Sequence, residues 1–97
     1  MIRHVVLFRW AEEATGEQKQ RMASELARLP SLVPSLREFR AGADLGLNQA
    51  NFDFALAADF DDVDGYLAYR DHPDHRAIVS QFILPITTQR AAVQYEF

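Results

Sequence analysis

Tyr69-Arg70-Asp71-His72-Pro73-Asp74-His75 is the stretch around which this chain is organised. Pro73 has no backbone N–H to donate and biases His72 away from the helical region, so a helix has to end here. Proline also suits the first position of a helix, so a new helix can begin at once. The stretch therefore predicts a break between two helical segments. Two imidazoles and a phenol gather at this joint and can line a pocket if the joint lies over a sheet.

Alternating apolar residues predict four strands around this joint, at 2–10, 36–43, 52–60 and 87–97. The first strand places five side chains on one face, namely Ile2, His4, Val6, Phe8 and Trp10. The third strand likewise has a bulky face, made of Phe52, Phe54, Leu56, Ala58 and Phe60. The opposite faces of these two strands are leaner.

The first helix is predicted between the first and second strands. Thr15 and Gln18 have the spacing of a capping box. The apolar positions that follow recur at helical spacing, at Met22, Leu26 and Leu29. Pro30 and Pro34 are expected to end this helix.

Two further helical segments are predicted on either side of the proline break. Asp61 or Asp62 can cap a helix that runs to about Arg70. The second segment runs from Pro73 to about residue 84, where Pro85 stops it. Its buried residues are expected to be Ile78, Val79 and Phe82.

The element order β-α-β-β-α-β predicts an α+β, ferredoxin-like fold with an antiparallel four-stranded sheet. The first and third strands are then antiparallel neighbours, so opposite residues have numbers with a constant sum. A sum of 62 pairs Arg3 with Asp59 and Arg9 with Asp53, and it stacks the aromatic residues of the bulky faces. A shift by one residue would oppose residues from different faces, so this register is well specified.

The leaner sheet face has an apolar centre, formed by Val5, Leu7, Ala55 and Ala57. The helices are expected to cover the bulky face, which leaves nothing in the chain to cover this one. An antiparallel sheet can leave one face in water, but an apolar centre with a polar rim is also typical of a subunit interface. We therefore expect a homodimer formed face to face through these four residues.

Length and composition exclude several classes of protein. The 97 residues suffice for a single domain spanning 1–97. A net charge of −4 gives no electrostatic reason to bind nucleic acid or an anionic membrane, and no apolar run is long enough to span a bilayer. The absence of cysteine excludes disulfides and thiolate chemistry. With no recognisable signal peptide, we expect a cytoplasmic protein.

The helix-covered face is the predicted site of a pocket. His4 lies on this face, and the break at Pro73 can place Tyr69 and His75 above it. A neutral imidazole in partly desolvated surroundings is a plausible general base, and a nearby phenol can share its proton. The alternative is structural, with His4 a hydrogen-bonded core residue, His72 a cap at the break and His75 solvated.

No cofactor is expected, and metal binding is not predicted. His72 and His75 are three residues apart, but no further ligand has the spacing of a metal site. The run Asp61-Asp62-Val63-Asp64 lacks the alternation of a calcium loop and is better explained as a helix cap. No glycine-rich phosphate loop is present.

The opening Met-Ile-Arg-His-Val-Val-Leu-Phe-Arg-Trp, together with Tyr-x-x-His-Pro-x-His at 69–75, resembles the stress-responsive dimeric α/β-barrel (Dabb) family. Leu36 to Gly42, the aromatic third strand and the closing Tyr95-Glu96-Phe97 agree with it, so the resemblance covers essentially the whole chain. The resemblance implies a ferredoxin-like fold whose sheets pair across a two-fold axis into a barrel, with the helices outside. Most members of the family have no assigned biochemical role.

One branch of that family, similar to olivetolic acid cyclase, closes a linear polyketide without a cofactor. In this branch the first-strand histidine and the tyrosine and second histidine of the motif line the pocket. The resemblance carries these roles to His4, Tyr69 and His75, with acid–base work on the latter two. A third-strand histidine of that branch is replaced here by Phe54, which leaves the pocket more apolar.

Two functions are consistent with these residues. The first is a homodimeric protein that binds a small apolar ligand in a pocket lined by Val6, Phe8, Phe54 and His72. The second is a cofactor-independent cyclase or lyase that uses His75 as base, Tyr69 as its partner and His4 to position an oxygen. A monooxygenase of the dimeric barrel type is a third option. A cavity between helix and sheet that brings Tyr69 and His75 together would favour the enzyme.

Overall fold

A computed structural model describes all 97 residues of the chain. It contains four strands, β1 (Ile2–Trp10), β2 (Leu36–Ala43), β3 (Phe54–Phe60) and β4 (Thr87–Glu96). It contains four α-helices, α1 (Gly16–Leu26), α2 (Leu29–Leu32), α3 (Val63–Asp71) and α4 (Pro73–Ile78). A π-helical segment, Val79–Ile83, and a 3₁₀ turn, Leu84–Ile86, connect α4 to β4. The predicted ferredoxin-like α+β fold is confirmed.

The sheet is antiparallel, with the strand order β2-β3-β1-β4. The predicted register of β1 and β3 is confirmed, because Ile2 lies opposite Phe60, Val5 opposite Ala57 and so on to the last pair, Phe8 and Phe54. The predicted Arg3–Asp59 pair also forms. The guanidinium donates two hydrogen bonds, of 2.7 and 2.8 Å, to the two carboxylate oxygens.

The predicted Arg9–Asp53 pair was wrong, because the ladder between β1 and β3 ends at Phe8 and Phe54. Beyond it, an Asp53 carboxylate oxygen accepts the backbone N–H of Trp10 at 2.9 Å. The Arg9 guanidinium instead donates to the side chain of Gln89 and to two loop carbonyls, and it stacks over Phe52 at 4.2 Å. The carboxylate thus bonds a backbone amide, and β3 begins two residues later than expected.

The capping box at the start of α1 is confirmed. The Thr15 hydroxyl accepts the Gln18 N–H at 3.1 Å, and the Gln18 side chain accepts the Thr15 N–H at 2.9 Å. The expected buried residues of this helical face, Met22, Leu26 and Leu29, are all in the core. Pro30 does not end the helix as predicted. It lies in the first turn of the separate helix α2, because the first helical positions need no backbone N–H.

The break at Pro73 separates α3 from α4 as predicted. Asp62 caps α3 by accepting the N–H of Gly65 at 2.8 Å. His72 adopts an extended backbone between the two helices, and Pro73 occupies the first turn of α4. The expected single helix up to residue 84 is instead a short α-helix followed by the π-helical segment. Ile78 is buried as expected and Ile83 is buried as well, while Val79 and Phe82 are only half-buried.

One cluster of 16 buried residues lies between the sheet and the helices. The bulky faces of β1 and β3 supply its floor, with Ile2, Val6 and Phe8 opposite Phe60, Leu56 and Phe54. The opposite sheet face carries no helix, and its central residues are half-buried: Val5, Leu7, Ala55 and Ala57. No helix is both long and apolar enough to cross a membrane.

Candidate active site

A cavity of about 700 Å³ lies between the helical layer and the sheet. Its floor comes from β1, β3 and β4, and its roof from α3, α4 and the π-helical segment, with Leu26 of α1 at one side. Its polar lining residues are His4, Tyr66, Tyr69, Arg70, His75, Arg76 and Arg90. Its apolar lining residues are Val6, Phe8, Leu26, Leu56, Val79, Ile83 and Ala92. A cavity of this volume is within the range of small-molecule sites.

The break at Pro73 brings Tyr69 and His75 into contact. Tyr69 lies near the end of α3 and His75 in the first turn of α4, and their ring centroids are 4.1 Å apart. His4 reaches the same cavity from β1, with its ring centroid 6.0 Å from that of Tyr69. The three predicted catalytic side chains therefore meet at one cavity.

The hydrogen bond of His75 determines which of its nitrogens is basic. Its Nδ1 lies 3.1 Å from the carbonyl oxygen of Arg70. A carbonyl only accepts, so Nδ1 carries the proton and donates it, which leaves Nε2 unprotonated in the neutral ring. Burial lowers the pKa of His75, the Arg70 carbonyl opposes this, and the neighbouring His72 adds to the lowering. At neutral pH His75 is thus a free base.

His4 has the opposite arrangement of its two ring nitrogens. The side-chain amide Nε2 of Gln94, on β4, donates to Nδ1 of His4 at 2.8 Å. The neutral ring therefore carries its proton on Nε2, where it is a donor. The side chain is only 8% exposed. This burial, together with His75, lowers the pKa of His4 to about 4, so the ring is neutral at physiological pH.

Tyr69 presents a hydroxyl group without an internal partner. The residue is 1% exposed, and its burial, with a smaller contribution from Tyr66, raises its pKa well above the usual value. No polar side-chain atom of the protein is both sealed from solvent and unpaired. Because the Tyr69 hydroxyl makes no hydrogen bond within the chain, it must open towards the cavity. It remains a neutral phenol that can donate one hydrogen bond and accept another.

Two residues predicted to line the pocket lie elsewhere, while Val6 and Phe8 are in its wall. His72 is the N-cap of α4, where its Nδ1 accepts the backbone N–H of Asp74 at 3.1 Å. Phe54 packs against Phe8 and Trp10 in the core, with ring centroids 6.2 and 5.7 Å away. The helix break turns the His72 ring back onto its own backbone, which keeps it out of the cavity.

Sequence reasoning missed several residues of the cavity. Tyr66 lies one helical turn before Tyr69, and its ring centroid is 5.0 Å from that of His4. The spacing of the two tyrosines was a usable signal. Gln94 does not line the cavity, but it bonds His4, which it faces in the pairing of β1 with β4, and Arg90 is opposite Phe8. Finding these two requires the register of β4, which the sequence pattern does not specify.

The side chains of the cavity are suited to proton transfer, and they do not form a metal-binding cluster. No group of three or more His, Cys, Asp or Glu side chains is placed to hold a metal ion. What the cavity does hold is a neutral imidazole base, a neutral imidazole donor and a neutral phenol. This combination is suited to general acid–base chemistry on a bound carbonyl compound.

The architecture is that of a ferredoxin-like α+β protein with a cavity between its helices and its sheet. The sequence over residues 2–97 matches the stress responsive A/B barrel domain (Dabb) family, so the chain belongs to that family. The family assignment predicted from the opening strand and the Tyr-x-x-His-Pro-x-His motif is confirmed. No curated protein matches the chain.

Solved structures with this fold include proteins with and without a known activity. A dimeric ferredoxin-like protein of unknown function from Thermobifida fusca YX is 46% identical, with a TM-score of 0.91 over 99% of this chain and 90% of that one. A dimeric protein of unknown function from Bacteroides fragilis is 26% identical, with a TM-score of 0.83 over 99% and 95%. The hydroxynitrile lyase from Passiflora edulis is 21% identical, with a TM-score of 0.86 over 97% and 90%, and shares the fold.

Proposed function

We propose that the cavity binds a small carbonyl compound with an apolar body and moves a proton on it without a cofactor. The observation that carries this proposal is the complementary state of the two imidazoles. His75 has an unprotonated Nε2, while His4 has a protonated Nε2, and both rings line the same cavity. A cyclase- or lyase-type step needs such a base and such a donor.

In the proposed reaction His75 removes a proton from the carbon next to the carbonyl group. The negative charge that develops on the carbonyl oxygen is stabilised by the Nε2–H of His4. A neutral imidazole suits this role, because it donates a hydrogen bond to the oxygen and keeps its proton. A charged imidazolium is more acidic and would transfer that proton more readily. The protonated His75 then returns its proton to the product, while the hydroxyl of Tyr69, whose ring contacts His75, stays neutral and offers a hydrogen bond in the cavity.

The proposal is tested with 4-phenylbutan-2-one as the probe, whose α-protons exchange with deuterium oxide once they are abstracted. We expect the protein to accelerate this exchange, followed by NMR, and His75→Ala to lower the enzymatic rate by about 100-fold, the usual range for loss of a general base. His72→Ala is the matched control, because it removes an imidazole three residues away that does not line the cavity. Circular dichroism checks that both variants are folded.

Binding without turnover is the second candidate function. The apolar half of the cavity lining supports it, since Val6, Phe8, Leu26 and Leu56 favour an apolar ligand whether or not it reacts. If the wild-type protein binds the probe and does not accelerate its exchange, the enzyme proposal is wrong and this candidate stands.

We further propose that the protein is a homodimer formed through the uncovered sheet face. Val5, Leu7, Ala55 and Ala57 form its centre, as expected from the sequence. On the same face of β4, Val93 lies opposite Val5 and is 55% exposed, and Tyr95 is 44% exposed. The relatives from Thermobifida fusca and Bacteroides fragilis, both described as dimeric, support the proposal. A cytoplasmic location stays a prediction from the sequence.

A further inference from the structure

The residues that line the cavity carry a positive net charge, whereas the whole chain carries a negative one. The protein has 14 acidic and 10 basic residues, with a net charge of −4. Among the residues that line the cavity, however, three are arginines and none is acidic: Arg70, Arg76 and Arg90. These arginines are exposed, whereas apolar lining residues such as Phe8 and Leu56 are buried. The arginines therefore lie at the opening, and most of the apolar residues lie deeper inside.

Two of the three guanidinium groups have no partner within the chain. Arg70 donates two hydrogen bonds to the carboxylate of Asp71, at 2.9 and 3.1 Å. The hydrogen bonds from Arg70 and, to a smaller extent, the charge of Arg76 keep the pKa of Asp71 below its usual value. The side chains of Arg76 and Arg90 make no hydrogen bond or ion pair in the structure. The opening thus carries three positive charges against one negative charge.

The three arginines come from separate elements that enclose the opening. Arg70 is in the last turn of α3 and Arg76 is in α4, so they lie on either side of the Pro73 break. Arg90 is across the cavity on β4, on the same sheet face as His4 and Phe8. A ligand that enters between the helices and β4 must pass between these cations.

We infer that the natural ligand is a carboxylic acid, with its apolar body in the cavity and its carboxylate bound by Arg90 and Arg76. This inference rests on the proposed function and names the class of molecule that the site takes. Guanidinium groups bind carboxylates through two parallel hydrogen bonds. No glycine lines the cavity, so it lacks the glycine-rich backbone loop with which many proteins bind phosphate.

This arrangement orients the ligand relative to the base. The carboxylate is held at the exposed arginines, so the rest of the molecule extends inward to His75, Tyr69 and His4, which are less exposed. A carbonyl group deeper in the chain of such an acid lies where His4 can donate to it. The substrate class is therefore a keto acid, or an acid with another carbonyl group, attached to an apolar body.

The inference is tested by comparing 4-phenylbutanoate with 4-phenylbutanamide, which has nearly the same shape and no charge. Binding is measured by calorimetry at low and at high salt. We expect the acid to bind about tenfold more tightly than the amide at low salt, and salt to weaken only the acid. Arg90→Gln should remove this preference, and Arg76→Gln should reduce it.

Arg37→Gln is the matched control, since Arg37 lies on the opposite edge strand, β2, and pairs with Asp61 away from the cavity. It changes the net charge by the same amount, so a general electrostatic effect would appear in both variants. The inference is overturned if acid and amide bind equally, if neither binds, or if Arg37→Gln acts like Arg90→Gln.

The result of this binding experiment can be distinguished from the result of the proton-exchange experiment that tests the proposed function. If the acid fails to bind selectively while the protein still exchanges the α-protons of 4-phenylbutan-2-one, only the inference about the carboxylate is wrong. If the acid binds selectively and no exchange occurs, the proton-transfer proposal is wrong and the arginines still select the ligand.

Discussion

The three histidines of this chain have three different surroundings, although they have the same side chain. His4 accepts a hydrogen bond from Gln94, His75 donates one to the Arg70 carbonyl, and His72 accepts one from the Asp74 amide. The partner of Nδ1 determines what Nε2 can do, so one ring is a donor, one is a base and one is a helix cap.

At the scale of single residues, stability should depend on pH through His4. The pKa of His4 is about 4 in the folded protein and 6.5 in the unfolded chain. Between pH 4 and pH 6.5 the unfolded chain therefore binds a proton at His4 that the folded protein does not bind. Stability is therefore full above pH 6.5 and falls as the pH decreases towards 4. The loss amounts to roughly 3 kcal/mol, since one pH unit between the two pKa values is worth about 1.4 kcal/mol.

Urea unfolding at pH 7 and pH 5 measures this effect. The free energy of unfolding of the wild-type protein should decrease on acidification, and His75 adds to the decrease because its pKa is also lowered. His4→Gln should show a smaller decrease. Equal decreases in the two proteins would show that His4 titrates normally in the folded state.

The position of individual residues at the cavity was predictable where a sequence motif contained them. His4, Tyr69 and His75 followed from the strand period, the proline break and the family resemblance. The states of their nitrogens did not, because these depend on Gln94 and on a backbone carbonyl that come close only in the folded chain. The arginine cluster at the opening was missed because Arg90 comes close to Arg70 and Arg76 only through the register of β4, which the sequence pattern does not specify.

At the scale of elements, His72 should contribute to stability and not to the site. His72→Ala removes the cap of α4 and should lower the free energy of unfolding by about 1 kcal/mol. His72→Asn should restore most of it, because asparagine is a good N-cap. Neither variant should alter the binding of 4-phenylbutanoate. A loss of binding in both variants would place His72 in the site instead.

Elements were predictable where residue pattern and local chemistry agreed. β1, β2, the capping box and the register of β1 with β3 follow from alternation and charge pairing. The pairing of Arg9 with Asp53 failed because a backbone amide competes for the same carboxylate. The π-helical segment after α4 was also unexpected, since nothing in the local residue pattern distinguishes it from a continued α-helix.

At the scale of the whole molecule, the uncovered sheet face should hold two copies together. Val93→Asp places a charge on this face, at an exposed position of an edge strand where the fold tolerates it. We expect the wild-type protein to sediment as a dimer and this variant as a monomer, because burying an unpaired carboxylate in an interface is costly.

Val63→Asp is the matched control for this experiment. Val63 is also exposed, at 57%, but it lies in the first turn of α3 on the helical side of the molecule. This variant should remain dimeric. A monomeric wild-type protein, or a dimer that survives in Val93→Asp, would contradict the proposed interface.

One wall of the cavity is an edge strand whose side chains contribute almost nothing to the core. β4 bonds to β1 on one side only, and apart from Thr87 all its residues are exposed. Positions 90 and 92 can therefore change with little cost to the stability of the fold, whereas Gln94 is constrained by its hydrogen bond to the buried His4. Relatives with the same fold can then change the ligand that they prefer through substitutions in this strand, while the core and the stability that it provides stay the same.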